Sequence, residues 1–238
     1  PGPLFCVLGT AEVVGAVFDS PVIDNDGLLE THGYFGDSYL VENPGWLAGG
    51  SVSWARELLG FDDDAALDRA AAEVPPGSDG LLFLPALTGA MAPRWNAGAR
   101  GCFYGLTPAH GRGHLARAVL EGCALAMRDV QERMQEIGRP ADSIIALGGG
   151  AASKVWLQIR ADVGGLEVHG SELTDSCALG AAMLAAAAAQ GRPVLELAAE
   201  IEHTRQSFEP RPELRATYDV AHRSYRQLFD RLEPLFDG

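Results

Sequence analysis

The sequence predicts an α/β domain. Three observations carry this: apolar runs of strand length open the chain, helical stripes alternate with short strands in its second half, and Gly/Pro clusters punctuate them. The 238 residues allow one large domain or two small ones, and a 47% apolar fraction excludes wholesale disorder.

Residues 4–8 and 13–18 are apolar runs separated by four residues that include Gly9, which predicts a β-hairpin. Asp24-Asn25-Asp26-Gly27 is a turn, with a further strand over 28–34. Trp46, Gly49, Gly50, Trp54 and Leu58 fall on one stripe, predicting a helix over 45–59 that stops at Gly60. A short helix over 64–73 follows, with Asp62-Asp63-Asp64 as its solvated cap and Pro75-Pro76-Gly77 as its end. Residues 80–85 form a buried strand. The Gly/Pro-rich stretch 88–108 is too long for a plain connector.

A long helix spans 111–137, with Leu115, Val119, Gly122, Leu125, Val130 and Met134 on its apolar face. Then come a strand over 143–147, the turn Gly148-Gly149-Gly150, a helix over 151–163 and a strand over 166–169. The helix over 176–190 is Ala-rich, and its small residues permit close packing. The last helix, 213–235, carries Leu214, Tyr218, Ala221, Tyr225, Leu228 and Leu232 on one stripe, which predicts docking onto the body.

The formal charge of −14, from 18 Lys and Arg against 32 Asp and Glu, leaves no basic face for a nucleic acid. It does not exclude a single nucleotide, which backbone N–H groups can hold. Four cysteines without a C-x-x-C pair point to reduced, buried thiols in a cytoplasmic protein. The apolar run at 177–189 is too short and Ala-rich to span a bilayer, and no basic segment precedes the first strand, so no membrane partner is expected. The chain opens at Pro1, without Met, as a piece of something larger would.

The strongest chemical signal is Ile144 to Ala151: a strand, three glycines and a helix start. Glycines let a ligand approach the backbone, and a helix N-terminus offers free N–H groups to a nucleotide. A plain strand-to-helix turn explains the same residues equally well. G-x-G-x-x-G fails at Ser153, which weakens a dehydrogenase reading, and no G-x-x-x-x-G-K-[ST] occurs. Gly9-Thr10 at the hairpin tip suits a phosphate oxygen or is simply a turn. Gly49-Gly50 costs a helix roughly 1–2 kcal/mol relative to alanine, which implies a close approach by a ligand or by packing. His110 and His114 have metal-pair spacing but no third ligand, so capping is the better reading. No G-x-S-x-G elbow supports hydrolase chemistry.

Taken in order, these segments resemble the C-terminal domain of the FGGY carbohydrate kinases, over residues 1–238. The resemblance rests on Pro1-Gly2 with Leu8-Gly9-Thr10; on Ala48-Gly49-Gly50-Ser51 through Ser53-Trp54; on Pro93-Arg94-Trp95-Asn96 through Ala99-Arg100-Gly101 to Gly105-Leu106-Thr107; on the long helix from His114; and on Gly148 through Ser153 with Trp156, Asp162, Glu172 and Ala178-Leu179-Gly180. It implies an actin-like (ribonuclease H-like) ATPase domain, a mixed sheet flanked by helices, using ATP and Mg²⁺ to phosphorylate a sugar or polyol, in a xylulokinase-like form. Carried over, Gly9 and Thr10 touch the terminal phosphates, Gly49 and Ser53 border the ribose and phosphate region, and Gly149, Gly150 and Ala151 pack on adenine with Ser153 at its edge. Glu12, next to the hairpin tip, puts a carboxylate close to where phosphates would lie. The resemblance further implies that the catalytic Asp, the sugar-binding domain and the first strand of the sheet lie upstream of Pro1. This chain alone would then be inactive, and the uncovered edge would favour self-association.

Overall fold

A computed structural model describes residues 2–171, 175–201 and 205–236; Pro1 and Glu172 lie outside them. The chain opens with the expected hairpin. β1 (Gly2–Leu8) pairs antiparallel with β2 (Ala11–Phe18), Leu8 opposite Glu12. β3 (Glu30–Gly33) and β4 (Tyr39–Leu47) extend this antiparallel half. Helices α1 (Gly49–Leu58) and α2 (Asp64–Ala72) follow, then a two-stranded ribbon of β5 (Leu82–Leu84) and β6 (Cys102–Tyr104). The long helix α3 (Arg112–Glu136) leads to β7 (Ala141–Leu147), α4 (Lys154–Gly164) and β8 (Glu167–Ser171). Helices α5 (Ser176–Gln190) and α6 (Val194–Ala199), strand β9 (Arg205–Phe208) and helix α7 (Arg215–Leu232) complete the described residues.

Seven of these strands form one mixed sheet in the order β3-β4-β2-β1-β7-β8-β9. β1 and β7 run parallel, as do β7 and β8; the remaining neighbours are antiparallel. Side-chain alternation gives the sheet one buried face: Leu4, Cys6 and Leu8 from β1, Val14 and Ala16 from β2, Ile144 and Ala146 from β7. Helix α3 packs on that face and is buried from Ala116 through Val130. Its Gly122 lies against the Phe83 carbonyl, where any Cβ would overlap, so helix and ribbon meet backbone to backbone. The predicted stripe on α7 is buried at Tyr218, Tyr225 and Leu228, joined by His222 and Phe229.

Four expectations need correction. The opening strand is not an uncovered edge: β1 is paired on both sides, and the sheet's edges are β3 and β9. The stated cause of self-association is therefore absent. The helix expected from residue 45 begins at Gly49, because 39–47 pair along β2 as a strand despite Pro44 and Gly45. Gly45 there has φ +101°, and its N–H donates to Asn43 Oδ1 at 3.1 Å. The thiols are only partly buried: Cys6 and Cys123 are, Cys102 is half-buried and Cys177 is exposed. Helix α5, expected to pack closely through its small residues, buries only Ala187. No helix among the described residues is long and apolar enough to cross a membrane.

Candidate functional site

The site is built where the hairpin tip, the start of α1 and the turn after β7 meet. The Gly9 carbonyl accepts the Gly49 N–H at 3.1 Å, and the Thr10 carbonyl accepts those of Ala48 and Gly50 at 3.1 and 2.9 Å. The hairpin turn thus satisfies N–H groups that a helix start leaves open. At Gly49 an added Cβ would overlap the Gly9 carbonyl oxygen and sit 3.1 Å from its carbon. This resolves the Gly49-Gly50 pair: Gly49 is glycine so that helix and hairpin can touch, and an added Cβ on Gly50 would run into Leu47.

The turn after β7 is a single 3₁₀ turn, Gly149–Ala152, entered through Gly148 at φ +83°. Its three glycines do different work. Gly148 and Gly150 lie against Leu8; a Cβ on Gly150 would come within 2.8 Å of the Leu8 Cβ and 2.9 Å of the Trp156 ring. Gly149 faces open space, with nothing within 4 Å of an added Cβ. Ser153 then caps α4, its Oγ accepting the Trp156 N–H at 3.0 Å.

Between these segments lies a cleft of about 480 Å³. Gly9, Thr10, Gly49, Ser53, Gly149, Gly150 and Ser153 all line it. Ala151 does not: it is buried in the hydrophobic core, its N–H closing the 3₁₀ turn onto the Gly148 carbonyl at 3.0 Å. Trp156 forms part of the cleft wall; its indole N–H donates to the Leu120 carbonyl at 3.0 Å.

Glu12 is absent from the cleft. Its carboxylate is fully buried and forms a two-armed pair with Arg160 of α4, Oε1 to Nη1 at 2.5 Å and Oε2 to Nη2 at 2.6 Å. The Cys6 thiol donates to Oε1 at 2.7 Å, and the guanidinium lies 4.5 Å from the Trp156 ring. No carboxylate at residue 12 opposes phosphates; the reason is the strand alternation that turns Glu12 inward to a cation 148 residues away in sequence.

Sequence reading missed the acidic wall of the cleft, Asp64 and Asp68 on α2. They are spaced i, i+4 and so share a face, the signal that could have found them. Asp63 is the true cap, taking the Ala66 N–H at 2.7 Å. Asp64 is exposed and pairs with Arg56 at 2.9 Å. Asp68 is half-buried: burial lifts its carboxyl above the usual range, Asp64 adds to this, and a hydrogen bond from Ser153 opposes it. His110 and His114 cap locally: their Nδ1 atoms accept the Thr107 and Gly111 N–H groups at 2.9 and 3.2 Å. No group of three or more His, Cys, Asp or Glu among the described residues could hold a metal ion.

Residues 4–189 match the model of the FGGY family of carbohydrate kinases, C-terminal domain. The chain is 37% identical over 190 residues to a glycerol kinase of Gloeobacter violaceus, covering 78% of this chain and 38% of that protein. It is 36% identical to the xylulose kinase of Escherichia coli, covering 79% and 39%. Its fold superposes on a crystal structure of xylulose kinase from Rhodospirillum rubrum with a TM-score of 0.85 at 31% identity, over 100% of this chain and 49% of that one. The chain thus spans about half that structure and two-fifths of the curated relatives. The mixed sheet with its helices is that family's actin-like fold, and the chain belongs to the FGGY family of carbohydrate kinases, whose C-terminal half it matches.

Proposed function

We propose that the cleft binds ATP, and that the chain is the nucleotide-binding half of a kinase that phosphorylates a sugar or polyol hydroxyl. The observation that supports this most is convergence: Gly9-Thr10, Gly49 with Ser53, and Gly149-Gly150 with Ser153 come from three distant segments and line one cleft. Xylulose is the first substrate to test, on the form of the Gly148–Gln158 segment, with glycerol and gluconate beside it because relatives in this family include kinases of all three.

The cleft fits such a nucleotide on two counts. The open backbone at Gly149 gives a base a surface without a Cβ. The two carboxylates on α2 repel phosphates, so the phosphates lie toward Gly9 and Thr10, away from that wall. When bound, ATP supplies the transferable phosphoryl group. Without a carboxylate cluster in the described chain, Mg²⁺ would be held chiefly by the phosphates themselves. Neither cleft carboxylate is placed as the proton acceptor of the sugar hydroxyl, because both stand on the α2 wall, away from the Gly9-Thr10 end to which the phosphates are assigned. We place that base outside residues 1–238.

Calorimetry with Mg-ADP, beside ADP-release assays with xylulose, glycerol and gluconate, tests the reading. Binding without sugar-dependent turnover is expected of this chain alone. Absence of binding would remove the nucleotide site; sugar-dependent ADP release would overturn the placing of the base.

A further inference from the structure

The α2 wall of the cleft does more than repel phosphates. Its two carboxylates are not equivalent. Asp64 is exposed and pairs with Arg56 at 2.9 Å. Asp68 is half-buried, sits at the cleft surface, and has only the Ser153 hydroxyl and the like charge of Asp64 acting on it among the described residues. A carboxylate offers about four acceptor positions, so one hydroxyl leaves most of them open. A buried or half-buried acceptor without donors is costly, and a donor arriving with a bound molecule removes that cost.

The position of Asp68 narrows which donor it meets. Ser153 is fixed, because its Oγ also takes the Trp156 N–H that starts α4. Asp68 is therefore held by Ser153, the residue that follows the Gly149–Ala152 turn, in the cleft that the open backbone at Gly149 also lines. A flat base lying on that backbone turns its edge toward Ser153 and Asp68, while the phosphates leave in the direction of the hairpin tip. We infer that Asp68 reads the base: its carboxylate accepts the exocyclic amino group of adenine and so selects adenine over a purine that lacks this donor. The inference rests on the nucleotide reading of the cleft and deepens it by naming the residue that sets base specificity.

The test compares ADP, purine riboside 5′-diphosphate (which lacks only the amino group) and 2′-deoxy-ADP on the intact chain and two variants, Asp68→Asn and Asp68→Ala. Binding is followed by calorimetry, and folding by urea denaturation. The intact chain is expected to bind ADP about tenfold or more tighter than the deaminated analogue, the discrimination typical when a site built to hydrogen-bond a group meets a ligand lacking it. Asp68→Ala should bring the two within about threefold, and Asp68→Asn, which keeps a neutral acceptor, should fall between. 2′-Deoxy-ADP should follow ADP in every variant.

Equal binding of ADP and its deaminated analogue by the intact chain overturns the role of Asp68 while leaving the nucleotide site standing. A preference that survives Asp68→Ala, or an Asp68-dependent loss seen with 2′-deoxy-ADP instead, overturns it too, the latter by moving the contact to the ribose. If none of the three nucleotides binds, the cleft reading fails and this inference fails with it.

Discussion

Gly49 and Gly149 line the same cleft, and the structure predicts opposite outcomes when each becomes alanine. At Gly49 the new methyl overlaps the Gly9 carbonyl oxygen and lies 3.1 Å from its carbon. That neighbour is backbone, held by three hydrogen bonds between the hairpin turn and residues 48–50, so it cannot swing aside like a flexible side chain. Overpacking of this kind costs roughly 1–3 kcal/mol. Weakening the Gly49-to-Gly9 hydrogen bond adds about 1 kcal/mol, and better helix propensity returns less than about 1 kcal/mol at a first-turn position. Gly49→Ala should therefore lower the unfolding free energy by about 2–3 kcal/mol. Gly149→Ala meets nothing within 4 Å, and its stability should change by no more than about 1 kcal/mol, in the stabilising direction. The methyl now covers the surface assigned to the base, so ADP affinity should fall about tenfold, equivalent to about 1.4 kcal/mol. Urea unfolding and calorimetry on both variants read the two quantities. A Gly49→Ala chain as stable as the parent, or a Gly149→Ala chain that binds ADP undiminished, would refute the division of these glycines into packing and ligand-facing ones.

Glu12→Gln should cost about 3–5 kcal/mol in urea unfolding, because it strands the buried Arg160 charge, and Glu12→Gln/Arg160→Met should recover most of that loss; an unchanged midpoint in the single variant would contradict the pairing. Thiol titration of the native chain should modify Cys177 quickly and Cys102 more slowly, while Cys6 and Cys123, whose thiols burial pushes up, should react only on unfolding; early loss of either buried thiol would contradict their placement. Asp24 is subject to burial, which raises its pKa, but the hydrogen bonds from Arg133 and the Asp26 and Leu29 amides outweigh this and hold it below the usual carboxylate range. A carboxyl depressed in the folded state stabilises above its unfolded pKa and loses that contribution as pH falls through the folded value. The urea midpoint of the parent should therefore fall more steeply than that of Asp24→Asn between about pH 4 and about pH 2; parallel curves would remove Asp24 from the acid response.

Much of the fold was legible because its elements carry unambiguous periods. The hairpin around Gly9, the long helix with Val119, Leu125 and Val130, and the α7 stripe all follow patterns that local sequence dictates. Strand β4 was not legible, since Pro44 and Gly45 suppress a strand reading and only pairing with β2 imposes one. Ribbon strand β6 is three residues set between Gly101 and Gly105, and β9 reads Arg-Gln-Ser-Phe with a single apolar residue, so neither offers an apolar run like the one that marks β5. At the site, the glycines stood out because their lack of a side chain is itself the signal. What each glycine is for did not stand out: only the three-dimensional neighbours separate Gly49, pressed against Gly9, from Gly149, open to the cleft. Glu12 was misplaced for the same reason, since its partner Arg160 is distant in sequence, and Asp68 was passed over because an i, i+4 acidic pair on a helix ordinarily means only a solvated face.

The central claim, that three separated segments form one nucleotide cleft, is tested most directly by amide NMR of the labelled chain titrated with Mg-ADP. Shift changes are expected to group at Gly9-Thr10, at the start of α1, at Gly149 through Ser153 and at Asp68, with the Trp156 indole N–H moving as well. A spectrum that does not move, or changes confined to surfaces away from these residues, would contradict it.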